Sequence, residues 1–296
     1  MDQFPSRERA ATAVAEPRVS AIVVVRGVSA SGEEQARLDV ALRGVLSEPW
    51  VDEVVIVDNG NAPAVSSALR ALQADRRDVM LVGAPIGAGN AVAANAGVAH
   101  AHGRWLLFLS PDVVMQRGAA QRMAAAGAQA PSPWVVGGRI LDTSGRELPA
   151  HLDGALSPMS VVDVALKFGA RRKARRRRAT PTRVGAVYAL LMLMPKADFV
   201  NLGGFGDAFA TDGADLDLCR RVSDAGGSVV FHPEASGVQF RRGVTRGRRI
   251  AQGLALFAAR SARTPLERAF AAVAHPTLLV LLALKDFVAG RPPLPR

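Results

Sequence analysis

The chain has 296 residues, 49% of them hydrophobic and 5% aromatic, enough for one large α/β domain or two small ones with a proper core, and against a disordered protein. A formal net charge of +11 favours a partner that carries phosphates, such as an anionic lipid or a phosphorylated substrate; no helix-turn-helix, zinc module or aromatic-rich sheet motif accompanies it, which argues against nucleic acid. A single cysteine, Cys219, excludes an internal disulfide, suits a reducing cytoplasm and reads as a small buried apolar residue.

In chain order, residues 1–17 are polar and alanine-rich, with no uninterrupted apolar stretch after basic residues, so they read as a loose tail and not a signal peptide. VSAIVVV (19–25) is a continuous β-branched run, as expected for a strand buried on both faces. A helix is predicted over 33–47, and a second buried strand over 51–60, VDEVVIVDNG, which ends in Asp58 and Asn59. Helix over 64–74, a short strand over 79–82 and a small-residue helix over 90–102 follow. WLLFL (105–109) is another buried strand and runs into Ser110-Pro111-Asp112, with helix again over 118–130. This alternation predicts a mostly parallel, Rossmann-like central sheet flanked by helices, with ligands beyond the carboxyl ends of the strands. Asp58 and Asp112 both stand at such ends.

The second half is patterned differently. Residues 135–141 are strand-like and DTSGR (142–146) is a turn. Residues 152–182 read as an irregular loop holding ARRKARRRR (170–178), in which Arg171 to Arg178 suit an anionic membrane surface or a polyphosphate. VGAVYALLMLM (184–194) reads as one apolar strand, 216–225 as a helix with Leu216, Cys219 and Val222 on one face, 229–231 as a short strand, and the chain from about 250 onward as mainly helix. No segment reads as a clear membrane span. In the best candidate, AFAAVAHPTLLVLLALKDFVA (269–289), the clean apolar run is short, which favours an interfacial or a packed helix.

Three stretches have the chemistry of a site. PIGAGNAVAANAG (85–97) sets Gly87 and Gly89 before a helix, but Val92 stands at the third glycine position of a dinucleotide loop, and the loop follows the third strand rather than the first. Asp112, in an open crevice at a strand end, is a good ligand for a hard divalent cation, or an Asp that starts a turn after proline. GADLDLCR (213–220) places Asp215 and Asp217 in the first turn of a helix. Capping and the helix dipole account for acidic residues there, while a general base for an acceptor hydroxyl would need one of them to face the crevice. A spacing of two puts them on different faces, so one is expected to face the site.

Taken in order, these pieces resemble the family-2 glycosyltransferases, especially the bacterial rhamnosyltransferase-like branch with the GT-A fold. The resemblance covers roughly residues 20–243 and rests on VDN (57–59), IGAGNAVAANAG (86–97), LFLSPD (107–112), LDTSGR (141–146), GGFGD (203–207), ADLDLCRR (214–221) and FHPEA (231–235). It implies a GT-A domain over 18–245 after the 1–17 tail; the arginine run and the apolar part of the C-terminal helical segment, 246–296, together suit holding the site at an anionic membrane. It implies that Asp58, with Asn59, Gly87, Asn90 and Asn95, binds a nucleoside diphosphate sugar. Asp112 would hold Mn²⁺ or Mg²⁺, and Asp215 would be the catalytic base of an inverting transfer to a glycan or lipid-linked acceptor in cell-envelope synthesis. The expected location is cytoplasmic, peripheral at the inner face of the plasma membrane.

The sequence departs from the family pattern at four places. Arg26-Gly27-Val28 replaces a Thr-Tyr-Asn-like stretch, Ala214 replaces Glu, Gly206 replaces Asp, and Gln239-Phe240 stands where a metal-site His is usual. A neutral amide is a poor substitute for imidazole on a transition metal. The alternative these departures suggest is a catalytically degenerate, transferase-like binding or scaffold protein.

Overall fold

The βα alternation of the first half forms as its hydrophobic runs dictate. In a computed structural model that describes residues 19–85, 87–167, 180–209, 212–240 and 247–288, the first elements are β1 (Val19–Arg26), α1 (Gly32–Leu46), β2 (Glu53–Asn59), α2 (Pro63–Asp75), β3 (Val79–Gly83), α3 (Asn90–Ala99) and β4 (Trp105–Leu109). Helix α1 starts where Ser31 accepts from the Glu34 amide, with Glu33 and Glu34 in the positive first turn. Helix α3 is made of small residues because it lies hard against the sheet: a Cβ on Gly97 would sit 2.7 Å from Val57. Then come β5 (Val113–Met115), α4 (Ala119–Ala128), β6 (Trp134–Asp142), β7 (Glu147–Leu148), β8 (His151–Leu152) and α5 (Ser160–Lys167). The chain continues through β9 (Thr182–Arg183), β10 (Ala186–Val187), β11 (Leu191–Pro195), α6 (Lys196–Asn201), α7 (Ala214–Asp224), β12 (Ser228–Gln239), α8 (Gly247–Ser261) and α9 (Pro265–Val288).

The main sheet runs β3-β2-β1-β4-β11-β6-β12-β5. Its first four strands are parallel. Strand β11 is antiparallel to both β4 and β6, while β12 pairs parallel with β6. The sheet is therefore a parallel nucleotide-type half joined to a mixed half, with helices on both faces. Side chains that alternate along β1 enter different cores: Ile22 joins Val55, Phe108 and residues of α7 to α9, whereas Ala21 and Val23 join Ile56, Leu107 and residues of α1 and α4.

Three sequence expectations change. The apolar run at 184–194 is not one strand: Val187 and Ala186 pair with His151 and Leu152 in a separate two-stranded sheet, the chain turns at Ala189–Leu190, and only then enters the main sheet as β11. Apolar content sets burial but not which sheet a residue joins. Part of the 152–182 loop is the helix α5. The predicted three-residue strand at 229–231 is the start of the much longer β12, whose register with β6 shifts between His232 and Ser236. A proline and an exposed glutamate inside that bulge hide the strand's continuation from a periodicity argument. The predicted tail at 1–17 and the run from Arg171 to Arg178 lie outside the described residues.

Candidate active site

The ends of β1 and β4 face a crevice at which strand order reverses, because β1 has β2 on one side and β4 on the other. Such switch points bind ligands in open α/β sheets. Asp58, at the end of β2, is partly buried and lies level with Val25 on β1 and Gly83 on β3. Its Oδ1 accepts from Asn61 Nδ2 at 2.6 Å. The same amide donates to the Val25 carbonyl, and Asn61 Oδ1 accepts from the Val28 amide. Asn61 thus joins the ends of β1 and β2 and orients Asp58. The sequence reading missed it, although an Asn two residues after Asp-Asn in a turn was a usable signal.

The remaining predicted nucleotide residues divide into two sets. Gly87 is exposed in the turn before α3, with φ 74° that an L side chain rarely adopts. Asn90 is exposed at the first position of α3 and accepts from Arg26 at 3.5 Å. Asn59, by contrast, is buried and donates to the Ala88 carbonyl. Asn95 donates to the Phe205 carbonyl and to Asp207, and accepts from the Phe205 amide. Both carboxamides are engaged within the fold, whereas Gly87 and Asn90 are exposed.

Asp112 follows β4 after Ser110-Pro111. Ser110 Oγ donates to its Oδ1 at 2.5 Å, and Gln239 Nε2 donates to its Oδ2 at 2.9 Å. Gln239 reaches it because of the β12 bulge, which His232 closes. The His232 Nδ1 accepts from the Glu234 and Ala235 amides, and burial lowers the pKa of this ring, favouring the neutral form that can accept. Downstream of the bulge, Gln239 pairs with Asp142 and Val113, and the Phe240 amide donates to the Asp112 carbonyl. Among the described residues, no group of three His, Cys, Asp or Glu gathers to hold a metal ion. The donor set around Asp112 is one carboxylate with a hydroxyl and a carboxamide. A carboxylate of this kind suits a hard divalent cation and not an imidazole-bound transition metal.

Asp215 and Asp217 have different partners, as their spacing implies. Asp217 pairs with Arg221 at 2.8 Å. Asp215 is partly buried, and its Oδ2 accepts from the Ala189 amide at 3.3 Å. Burial, aided by the nearby Asp212 carboxylate, pushes its pKa up to about 6. Ala189 has a neighbour of equal importance: the Leu190 carbonyl accepts from the Ser110 amide at 3.0 Å. Two consecutive turn residues therefore hold the Asp215 segment and the Ser110–Asp112 segment together. The sequence gives no sign of this turn.

The other motif residues form a clamp. Arg221 bonds Asp217 and donates to the Leu202 and Gly204 carbonyls, while Asn95 grips the same loop at Phe205 and Asp207. Phe205 then packs on Phe108 and Phe199 with ring centroids 4.9 and 5.2 Å away. A cavity of about 440 Å³ opens at the other end of α7, lined by residues that include Leu156, Arg183, Arg220 and Asp224. No predicted site residue lines it. Cys219 is fully buried against Val187, and burial raises its thiol to about 12, which leaves it inert.

A parallel βαβ half, a mixed second half and carboxylates at the switch point define a GT-A type fold. Residues 28–191, more than half of the chain, match the model of glycosyl transferase family 2, and the chain belongs to that family. Among solved structures, GalNAc-T7 with UDP, GalNAc and Mn²⁺ is similar with a TM-score of 0.61 and 13% identity, over 95% of this chain and 59% of that one. The mannosyltransferase PcManGT from Pyrobaculum calidifontis, in complex with GDP-Man and Mn²⁺, is similar with a TM-score of 0.56 and 19% identity, over 94% and 76% of the two chains. TarS 1-349 from S. aureus is similar at 0.55 and 9%, over 91% and 73%. At these identities the likeness concerns the fold, and the chain spans 59% of the length of GalNAc-T7. No curated protein sequence matches the chain.

Proposed function

We propose that the protein is an inverting glycosyltransferase of the rhamnosyltransferase-like branch. It moves a sugar from a nucleoside diphosphate donor to a glycan or lipid-linked acceptor in cell-envelope synthesis. One observation supports the reading: the Ala189–Leu190 turn bonds both Asp215 and the Ser110–Asp112 segment, the closeness that a base and a leaving-group site would need. In this reading Asp58, held by Asn61, contacts the nucleoside, and Gly87 and Asn90 line the approach of α3. Asp112 would hold Mg²⁺ or Mn²⁺, which when bound supplies neutralisation of the departing diphosphate. Asp215 takes the proton of the acceptor hydroxyl as that oxygen attacks the anomeric carbon and the nucleoside diphosphate leaves. A pKa of about 6 suits a base that is ionised at neutral pH yet stronger than an ordinary carboxylate.

Domain use follows the same reading. Residues 18–245 form the transferase unit, and 246–296, with the basic run from Arg171 to Arg178, hold it at the inner, cytoplasmic face of an anionic membrane. The Gln239–Asp112 bond favours a second reading, a degenerate transferase-like binding protein whose carboxylate is occupied by an amide. Thermal stabilisation by UDP, dTDP and GDP, with and without Mn²⁺, separates the two. The transferase reading expects a metal-dependent shift for one nucleotide that Asp112→Ala abolishes. No shift with any nucleotide would leave the binding-only protein.

A further inference from the structure

Helix α9 has two unlike faces. On the inner one Ala274, Leu278 and Leu282, four residues apart, are buried, and the helix packs on α8 and α5. On the outer one Leu266, Val273, Val280 and Leu284 are exposed, Leu266 at 71% and Val280 at 60%. A seven-residue spacing aligns the first three in one stripe, and Leu284 adds a turn beyond. The sequence has no charged residue between Arg268 and Lys285, a stretch of about 24 Å along a helix. Exposed apolar surface of that length marks a binding face rather than ordinary solvent contact.

Among the described residues, the stretch Pro265–Leu284 of α9 is the one long and apolar enough to cross a membrane, with a mean hydropathy of 1.4 and only 17% of its apolar window buried. Crossing would strip α9 from α8 and α5, exposing its own inner residues and the buried Leu254 and Phe257 of α8. Pro276 also lies inside the helix. Its ring has no N–H for the Ala272 carbonyl, which therefore lacks its usual backbone donor. An in-plane seat keeps the inner face packed and wets only the groups that need water.

Charge selects the occupant. Around the start of the stripe, Arg260 and Arg263 have side chains 52% and 65% exposed and stand 4.0 and 2.5 Å from Asp217 and Asp224, and the exposed Arg268 follows Glu267. Helix α5, packed on α9, ends at Lys167, four residues before Arg171, the first of the seven cations of ARRKARRRR. A basic rim around an apolar stripe complements an anionic bilayer. A second copy of the chain would bring the same positive rim against itself, which is unfavourable.

We propose that α9 lies in the plane of an anionic bilayer, seated through Leu266, Val273, Val280 and Leu284, and does not span it. The inference rests on the membrane placement proposed above and is independent of the transfer chemistry. It is tested by sedimenting the full chain, without nucleotide, with vesicles of phosphatidylcholine alone and with vesicles that also contain phosphatidylglycerol. The wild type should bind the anionic vesicles and be released by salt or alkaline carbonate. Val273→Asp with Val280→Asp should lower partitioning roughly tenfold or more at unchanged melting temperature, while Val200→Asp, exposed on α6, should not. If the double variant binds as well as the wild type, the α9 seat is wrong and the arginine run alone carries membrane placement. If the wild type binds neither vesicle, both fall. Resistance to carbonate would mean a span and overturn the in-plane seat, as would self-association lost in the double variant without vesicle binding.

Discussion

Strands β1 to β4 and strands β11, β6 and β12 all contribute buried apolar side chains, yet they carry their functional groups in different ways. In the first region β1, β2 and β3 are each followed by a helix and lie side by side, and Asp58 and Asp112 stand at or just beyond the ends of β2 and β4. In the second, β11 is threaded between β4 and β6, and β12 bulges before it reaches Asp112. Asp215 is tied to the crevice through a turn more than twenty residues away. Local connection makes a site residue legible from its place in a motif. Long-range connection makes its environment a property of the fold alone.

Substitutions at the two carboxylates sharpen that contrast most. Asp215→Asn should lower kcat/KM by about 10³, near the middle of the range for loss of a general base, in steady-state transfer assays at saturating cation. It should also change stability. The folded pKa of Asp215 is raised to about 6, so its contribution is fully present below the unfolded carboxylate pKa and is lost as pH rises through 6. Removing the charge should therefore stabilise the protein above pH 6 by about 3 kcal/mol at most, seen in melting temperatures across pH. A melting curve for Asp215→Asn that matches the wild type at both pH 4 and pH 8 would contradict a desolvated carboxylate. Asp112→Ala should cost roughly 10²-fold in kcat/KM and abolish metal-dependent nucleotide stabilisation while leaving the apo melting temperature nearly unchanged.

The clamp tests the other side of the comparison. Asn95→Ala removes three hydrogen bonds and leaves the Phe205 amide unpaired, which should cost about 2 kcal/mol in urea unfolding, with donor KM changed little. A rise in KM without loss of stability would restore Asn95 to the nucleotide site. The smallest effect is expected at the bulge. The folded pKa of His232 is lowered, so its contribution is present above the unfolded value near 6.5 and is lost as pH falls below it. His232→Gln should flatten that acid limb and loosen the Gln239–Asp112 contact, read as a modest change in apparent Mn²⁺ affinity.

Much of this was legible in the sequence because the physics is local. Buried parallel strands need unbroken apolar, often β-branched runs, so VSAIVVV (19–25), VVIV (54–57) and WLLFL (105–109) announced β1, β2 and β4. Loops follow strand ends, so Asp58 and Asp112 declared their position in the crevice. The helical period put Leu216, Cys219 and Val222 on the buried face of α7. Where the same motif letters serve packing instead, as at Asn95, Gly204 and Arg221, sequence alone does not separate them from ligand contacts. Both uses favour the same polar or small residue.

The sequence by itself determined the α/β class, the family and the strand-end position of the nucleotide-side residues, because these follow from periodicity and neighbouring residues. Only the tertiary structure decided that 184–194 divides between two sheets at the Ala189–Leu190 turn. It also decided that Gln239 reaches Asp112 across the bulge closed by His232, and that Asp217 pairs with Arg221 while Asp215 meets the Ala189 amide. Each depends on which distant backbone or side-chain group arrives at a given place, and hydrogen bonding and desolvation act only once the chain has closed on itself.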